Sequence, residues 1–210
     1  MTVVAAFDVD GTLTTRDCVI PYLALVRGRV GLAAEIARGG PRLLGPLVRR
    51  DRSAMREVVN RRVLAGRPLV DLVRLGDGFA ERVAQERIRS DTSARLHWHL
   101  RQGHEVLLVS ASYELYLRRL AELLGARVAL GTRVVTIDGV TTGELEGPNC
   151  RGPEKVVRLR RWLDEHHGGR AGVEVWAYGD SAGDAELLAD ADHAVWARRP
   201  ISPEPETVMW

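Results

Sequence analysis

The chain has 210 residues, 45% of them hydrophobic and 28% charged, with a formal net charge of +2. That is the profile of a soluble globular protein of one domain, or of one domain with a smaller insertion. It excludes disorder, a collagen-like repeat and a coiled coil, and no run reaches the roughly 18 apolar residues that a membrane span needs. The charge is uneven: residues 15–90 hold 16 Arg against 8 acids, and the remainder holds 14 cations against 20 acids. Such a split fits two structural units with an anionic ligand between them, although a solvated, Arg-rich helical surface accounts for part of it. Of the 30 cationic side chains, 29 are Arg and one is Lys155. A lone Lys marks either a coding bias or a site that needs a compact ammonium rather than a planar fork.

In chain order the first element is Val3-Val4-Ala5-Ala6-Phe7, a buried strand feeding the tight loop Asp8-Val9-Asp10-Gly11-Thr12. Residues 1–7 carry no basic side chain and position 8 is an acid, so no secretory leader is expected. Over residues 17–89 the periodicity is helical, broken at Gly28, Gly39-Gly40-Pro41, Gly45-Pro46 and Gly66-Arg67-Pro68, and no strand is expected there. Residues 31–50 read as a pair of helices; contact with lipid is the less favoured reading of their Leu, Ala and Ile with Arg at the far end. Beyond residue 90 helices are expected at 91–102, 113–124, 154–167 and 185–189, with stops at Gly103, Gly125 and Gly168-Gly169. Strands are expected at 105–110, 127–130, 133–137, 173–178 and 193–197, with a hairpin turn at Ile137-Asp138-Gly139-Val140. This alternation predicts a mostly parallel sheet with helices on both faces. Prolines 200, 203 and 205 leave the tail irregular. Cys18 and Cys150 are too few for a disulfide framework and match no metal spacing, so reduced thiols and a cytoplasmic location are expected.

Ligands of such sheets bind beyond the carboxyl ends of the strands. The first strand delivers Asp8 and Asp10 there, the second Ser110 and Ser112, and the 173–178 strand Asp180 and Asp184; Lys155 opens the helix leading into that last strand. Crowded acids are costly unless a cation binds them, and hard oxygen donors at this density call for Mg2+, which keeps waters that a phosphate can displace. A carboxylate such as Asp8 can then attack phosphorus and form an aspartyl-phosphate that water later hydrolyses. Asp10, two residues along an extended chain, lies on the same side and can meet the leaving oxygen. The cation, Lys155 and a serine hydroxyl spread over the phosphoryl oxygens, and Gly11 lets the chain turn sharply and offer backbone N–H groups. Asp-x-Asp-Gly-Thr could instead be a capping turn, and either serine could cap the next helix. The apolar strand before the first favours chemistry, and the capping-box spacing fails for both serines, because Tyr113 and Leu115 stand three positions on. The six histidines are scattered or helical and are not expected to bind metal.

In order, Asp8-Val9-Asp10-Gly11-Thr12, Ser110-Ala111-Ser112, Lys155 after Gly152-Pro153-Glu154, and Gly179-Asp180-Ser181-Ala182-Gly183-Asp184 resemble the four motifs of the haloacid dehalogenase-like superfamily. Val109-Ser110-Ala111-Ser112 and the lead-in Asn149-Cys150-Arg151-Gly152 resemble the subfamily IB hydrolases, relatives of phosphoserine phosphatase. The resemblance spans about residues 3–197. It implies an α/β fold: a modified Rossmann-like core with a mostly parallel sheet from residues 1–14 and 91–210, and an inserted all-helical C1-type cap at 15–90. It implies Asp8 as nucleophile and metal ligand, and Asp10 as general acid/base with its backbone carbonyl on the metal. Lys155 and Ser110 would hold the phosphoryl group, with Ala111, Gly11 and Thr12 beside it. Asp180 would be a direct metal ligand, while Asp184 would support the metal and orient Lys155. Asp17 falls where phosphoserine phosphatases place an acid that reads the substrate amine, and it equally suits the N-cap of the first cap helix. Gly183 stands where those enzymes often have Asn, and Ser110-Ala111-Ser112 where they often have Ser-Gly-Gly. Arg61 and Arg62 both lie near the place of their cap arginine.

The reading is a Mg2+-dependent phosphomonoesterase with a small-molecule phosphomonoester substrate, such as an amino-acid phosphate. The main competitor is a phospholipid headgroup of the phosphatidylglycerophosphate or lysophosphatidate kind, motivated by the basic and partly apolar cap; membrane contact is not favoured. A nucleic-acid-binding module built on the Arg-rich segment would leave four acids unexplained and lacks interleaved aromatics, so no nucleic-acid partner is expected. The substrate and the oligomeric state stay open.

Overall fold

Val4, Ala5, Ala6 and Phe7 are fully buried, as a parallel strand covered on both faces requires. The computed structural model describes residues 2–38 and 52–205. Its elements run β1 (Thr2–Phe7), α1 (Val19–Arg27), α2 (Arg29–Arg38), α3 (Arg52–Val63), β2 (Arg67–Pro68), α4 (Leu69–Glu86), α5 (Ser90–Arg101) and β3 (Glu105–Tyr113). They continue with α6 (Glu114–Leu124), β4 (Val128–Thr132), β5 (Val134–Ile137), β6 (Val140–Leu145), α7 (Pro153–His167), β7 (Val173–Gly179), α8 (Ala185–Asp190) and β8 (His193–Trp196). Five strands form one parallel sheet in the order β4-β3-β1-β7-β8, with Ala5 opposite Val106 on one side and Trp176 on the other. The chain therefore leaves β1 in both directions, which opens a crevice at its carboxyl end.

Side chains alternate across the sheet. Val4, Ala6, Leu107, Val109, Val175 and Ala177 pack under Leu159, Trp162 and Leu163 of α7 and Leu187 and Leu188 of α8. Ala5, Phe7, Val106 and Leu108 face the other way, into a cluster that runs through Leu96 and α6 and on into Tyr22, Leu23, Leu72 and Phe79. The segment between β1 and α5 thus shares the core of the sheet. Its two connections cross at one place, where Arg89 N–H donates to Leu13 O (2.8 Å) and Thr15 N–H to Arg87 O (2.9 Å).

Three features differ from the expectation. β3 runs on through Ser112 and Tyr113, and its register against β4 shifts between Val109 and Tyr113, the kind of irregularity that re-aims side chains beside a site. The stretch expected to lack strands contains β2, whose Arg67 and Pro68 pair antiparallel with Thr141 and Val140; a proline is tolerated on such an edge. Finally, β5 and β6 leave the main sheet to join β2. They turn at Asp138 and Gly139, both at positive φ as a two-residue hairpin turn requires, and Gly139 O accepts from Leu69 N–H (2.8 Å). The breaks at 39–41 and 45–46, and most of the 31–50 helix pair, lie outside the described residues. Residues 200–205 are irregular but anchored: Arg95 donates to the carbonyls of Ser202 (2.8 Å) and Pro203 (3.2 Å), and Asp91 accepts from Ile201 N–H (3.0 Å). Among the described residues no helix is long and apolar enough to cross a membrane.

Candidate active site

Asp8 follows the last residue of β1, and its N–H donates to Tyr178 O of β7 at 2.9 Å. This leaves its side chain at the carboxyl edge of the sheet, beside the crevice. Carboxylate oxygens of Asp8, Asp180 and Asp184 lie within 4.8 Å of one another. Lys155, in the first turn of α7, is 2% exposed, and its Nζ donates to Asp8 Oδ1 and Asp184 Oδ1, both at 2.6 Å. The start of α7 is tied to the acidic loop by Gly152 N–H donating to Gly183 O (2.9 Å). Asp184 is aimed by a capping box: its Oδ2 accepts from Ser181 N–H (2.9 Å) and Ser181 Oγ (2.8 Å), leaving Oδ1 for Lys155.

One ammonium among three carboxylates leaves two negative charges uncompensated. Burial pushes the Asp8 carboxyl up, Lys155 pulls it back, and Asp184 and Asp10 push it up again. Burial and then Asp184 raise Asp180. Against its own burial, Lys155 and the Ser181 donors hold Asp184 below the usual carboxylate range. Lys155 loses water on burial, yet Asp8 and Asp184 push it up to about 12, so it stays an ammonium. Hard oxygen donors with a surplus of negative charge fit a divalent cation. Gly11 makes the close approach possible: at φ +87°, a Cβ there would stand 2.5 Å from Asp180 Oδ2.

Asp10 stands apart from this carboxylate group. Its Oδ1 accepts from Cys18 N–H (2.9 Å) and its Oδ2 from Ser112 Oγ (2.6 Å). Burial and the charge of Asp17 raise its pKa, while the Ser112 and Cys18 donors oppose them. Ser110 is buried with its Oγ accepting from Ser112 N–H (3.2 Å), and the N-cap of α6 makes no side-chain bond, so neither serine caps that helix. The carbonyl of Ala111 accepts from Thr132 Oγ1 (2.9 Å). Thr12 donates to Asp180 Oδ1 (3.3 Å), so in this structure its hydroxyl serves the acid cluster. Asp17 is exposed and accepts from Ile20 N–H (3.1 Å), the bond of a helix cap. Arg61 pairs with Glu144 (3.1 Å) and Arg62 with Glu35 (3.3 Å).

Three neighbours of the site were given no role from the sequence. Tyr116 donates to Ser112 Oγ at 2.6 Å; four-residue spacing was the available signal, masked by the apolar face of α6. Arg89 donates to Gly11 O (2.8 Å) and Ala197 O (2.7 Å), partners 78 and 108 positions away with no local signature. The Arg151 guanidinium lies against Gly183, where a Cβ would stand 2.5 Å from its Cζ. A side chain at 183 would have to shift the end of the flexible Arg151 side chain.

A family model for haloacid dehalogenase-like hydrolases matches residues 5–189. The chain belongs to this family. This haloacid dehalogenase-like hydrolase is 35% identical over 190 residues to Protein CicA of Caulobacter vibrioides, covering 89% of the chain and 82% of CicA. It is 31% identical over 214 residues to phosphoserine phosphatase SerB1 of Mycobacterium tuberculosis, covering 93% of the chain and 64% of SerB1. The crystal structure of a Bordetella pertussis protein of unknown function is similar, with TM-score 0.74 and 26% identity over 90% of this hydrolase and 86% of that chain. A phosphoserine phosphatase in its apo form shares the fold, at TM-score 0.55 and 19% identity over 91% of this hydrolase and 84% of that chain.

Proposed function

We propose that this hydrolase is a Mg2+-dependent phosphomonoesterase working through phosphorylated Asp8, on a small metabolite phosphate that carries an amine or hydroxyl. The carrying observation is the buried Asp8–Lys155–Asp184 chain with Asp180 beside it, at the edge of the central strand. Phosphatase chemistry is supported by the family and by the likeness to SerB1. A bound divalent cation would neutralise phosphoryl charge and hold the group for in-line attack. Asp8 attacks phosphorus as the bond to the leaving oxygen breaks, and Asp10 gives that oxygen a proton; Asp10 then takes a proton from the water that cleaves the aspartyl-phosphate. An ammonium has three donors, so with two on Asp8 and Asp184 the third serves a phosphoryl oxygen, alongside Ser110 and the backbone N–H groups of the Gly11 turn. Asp17 reads the amine, supported by the nearness that lets its charge act on Asp10. Residues 15–90 act as a cap over a core of 1–14 and 91–210, supported by the single crossing of their connections. A cytoplasmic location is supported by two buried, unbridged thiols, Cys18 and Cys150.

The test is inorganic phosphate release from a panel of phosphorylated metabolites. Turnover is expected to stop in EDTA and return with Mg2+, and Asp8→Asn is expected to abolish it with the melting temperature kept. Full turnover after exhaustive chelation, or steady-state turnover by Asp8→Asn above contaminant level, overturns the mechanism.

A further inference from the structure

Donors of fixed direction engage both carboxylate oxygens of Asp10: Cys18 N–H on Oδ1 at 2.9 Å and the Ser112 hydroxyl on Oδ2 at 2.6 Å. A serine hydroxyl is a rotor with one proton and two lone pairs. Here the Tyr116 hydroxyl donates to Ser112 Oγ at 2.6 Å, which occupies a lone pair and leaves the Ser112 proton for Asp10. Both residues are fully buried. Ser112 stands where the β3 register shifts, and a glycine there, as in Ser-Gly-Gly, could not make the bond. Tyr116 is wedged in turn by two rings from the helical segment, Tyr22 of α1 (centroids 4.9 Å apart) and Phe79 of α4 (5.2 Å). Tyr22 is itself pinned by donating to Leu72 O at 2.8 Å.

We propose that Ser112 and Tyr116 are positioning residues forming a relay, in which Tyr116 orients Ser112 and Ser112 holds the Asp10 carboxyl toward the leaving oxygen. The aromatic packing of the helical segment keeps the relay in place. The proposal rests on Asp10 as the acid of the proposed function. In that step the Asp8–phosphorus bond forms, the bond from phosphorus to the leaving oxygen breaks, and the Asp10 proton passes to that oxygen. A p-nitrophenolate leaves with little help, whereas a phenolate needs the proton, so misplacing Asp10 must hurt the poorer leaving group more.

The experiment compares kcat/KM on phenyl phosphate and p-nitrophenyl phosphate, in saturating Mg2+, for wild type, Ser112→Ala, Tyr116→Phe and the double variant, with melting temperatures recorded. Ser112→Ala is expected to lose roughly tenfold to a hundredfold on phenyl phosphate and less than about threefold on p-nitrophenyl phosphate. Tyr116→Phe should show the same selectivity at smaller size, and the double variant should be no worse than Ser112→Ala, because Tyr116 acts through Ser112. Equal losses on both esters, no loss on either, or additive losses in the double variant overturn the relay while leaving the phosphatase reading standing. An Asp10→Asn control whose kcat/KM falls equally on both esters overturns the assignment of Asp10 as the acid, and the relay with it. If Ser112→Ala melts early, Tyr116→Phe, which removes one oxygen and keeps the ring, decides the matter alone.

Discussion

Asp17 lies seven residues past Asp10, accepts from Ile20 N–H at 3.1 Å to cap α1, and is near enough for its charge to raise Asp10. The two uses of the side chain separate by substitution. Asp17→Asn keeps an oxygen for the cap and loses the charge; Asp17→Ala loses both, with about 1 kcal/mol of stability going with the cap. An amine paired with this carboxylate in a closed site is worth on the order of 2 kcal/mol, or roughly thirtyfold in kcat/KM. Both variants are therefore expected to lose about thirtyfold on an amine-bearing phosphomonoester, to keep most activity on p-nitrophenyl phosphate, and to differ in melting temperature. Equal losses on the two substrates would assign Asp17 to the catalytic loop, and no loss on either would leave it as a helix cap. Its position was legible in the sequence, as were Asp8, Asp180, Asp184 and Lys155, because each follows an apolar run or opens a helix. The turning of Asp10 toward Ser112 was not, since it depends on which hydroxyl β3 brings across the sheet.

Where the helical segment rejoins the sheet, Arg89 spans three elements. It donates to Gly11 O in the loop after β1 (2.8 Å), to Ala197 O after β8 (2.7 Å) and to Asp91 Oδ2 in α5 (2.8 Å). Hydrogen bonds to a charged group are the stronger kind, and losing one partner strands the others. Arg89→Met is expected to cost about 2–3 kcal/mol in urea unfolding. It should also raise the Mg2+ concentration needed for half-maximal activity, because the Gly11 turn that packs on Asp180 is freed. Arg89→Lys should not restore either quantity, since one ammonium cannot reproduce a fork that reaches several acceptors. An unchanged Mg2+ requirement in a destabilised Arg89→Met would confine Arg89 to a structural role.

For the whole molecule, one contribution to acid stability comes from His99, which joins α5 to β7 in the core. Arg95 donates to the Tyr178 hydroxyl (3.1 Å), that hydroxyl pairs with His99 Nε2 (2.8 Å), and His99 Nδ1 pairs with His104 Nδ1 (2.8 Å). An Nδ1···Nδ1 contact needs one nitrogen without a proton, a pairing that suits neutral imidazoles. Burial, then His104 and Arg95, lower His99 from 6.5 to about 3. The unfolded chain therefore binds the extra proton between those values; the stabilisation is complete above about pH 6.5 and drains away as pH falls toward 3. The loss approaches about 1.4 kcal/mol per pH unit. Asp8, with its carboxyl raised, works in the opposite direction, so urea titrations belong in saturating Mg2+ and the quantity to follow is wild type minus His99→Gln. That difference should shrink from pH 7 to pH 4.5. A difference independent of pH would show that His99 charges in the folded protein without penalty.

The sequence by itself determined the parallel α/β core, the strand ends that carry the acids, the helix stops at Gly125 and Gly168 and the turn at Asp138-Gly139. These rest on side-chain period, caps and turn residues, which act over a few neighbouring positions and so are written locally. Only the tertiary structure decided that the β5–β6 hairpin leaves the main sheet for β2, that Thr12 leans on Asp180, and that Arg61 and Arg62 are taken up by Glu144 and Glu35. It alone decided that Tyr116 reaches Asp10 through Ser112 and that Arg89 grips Gly11. Around the site a buried or half-buried polar group had to find a partner, and the partner came from whichever element the packing of the core brought within hydrogen-bond reach.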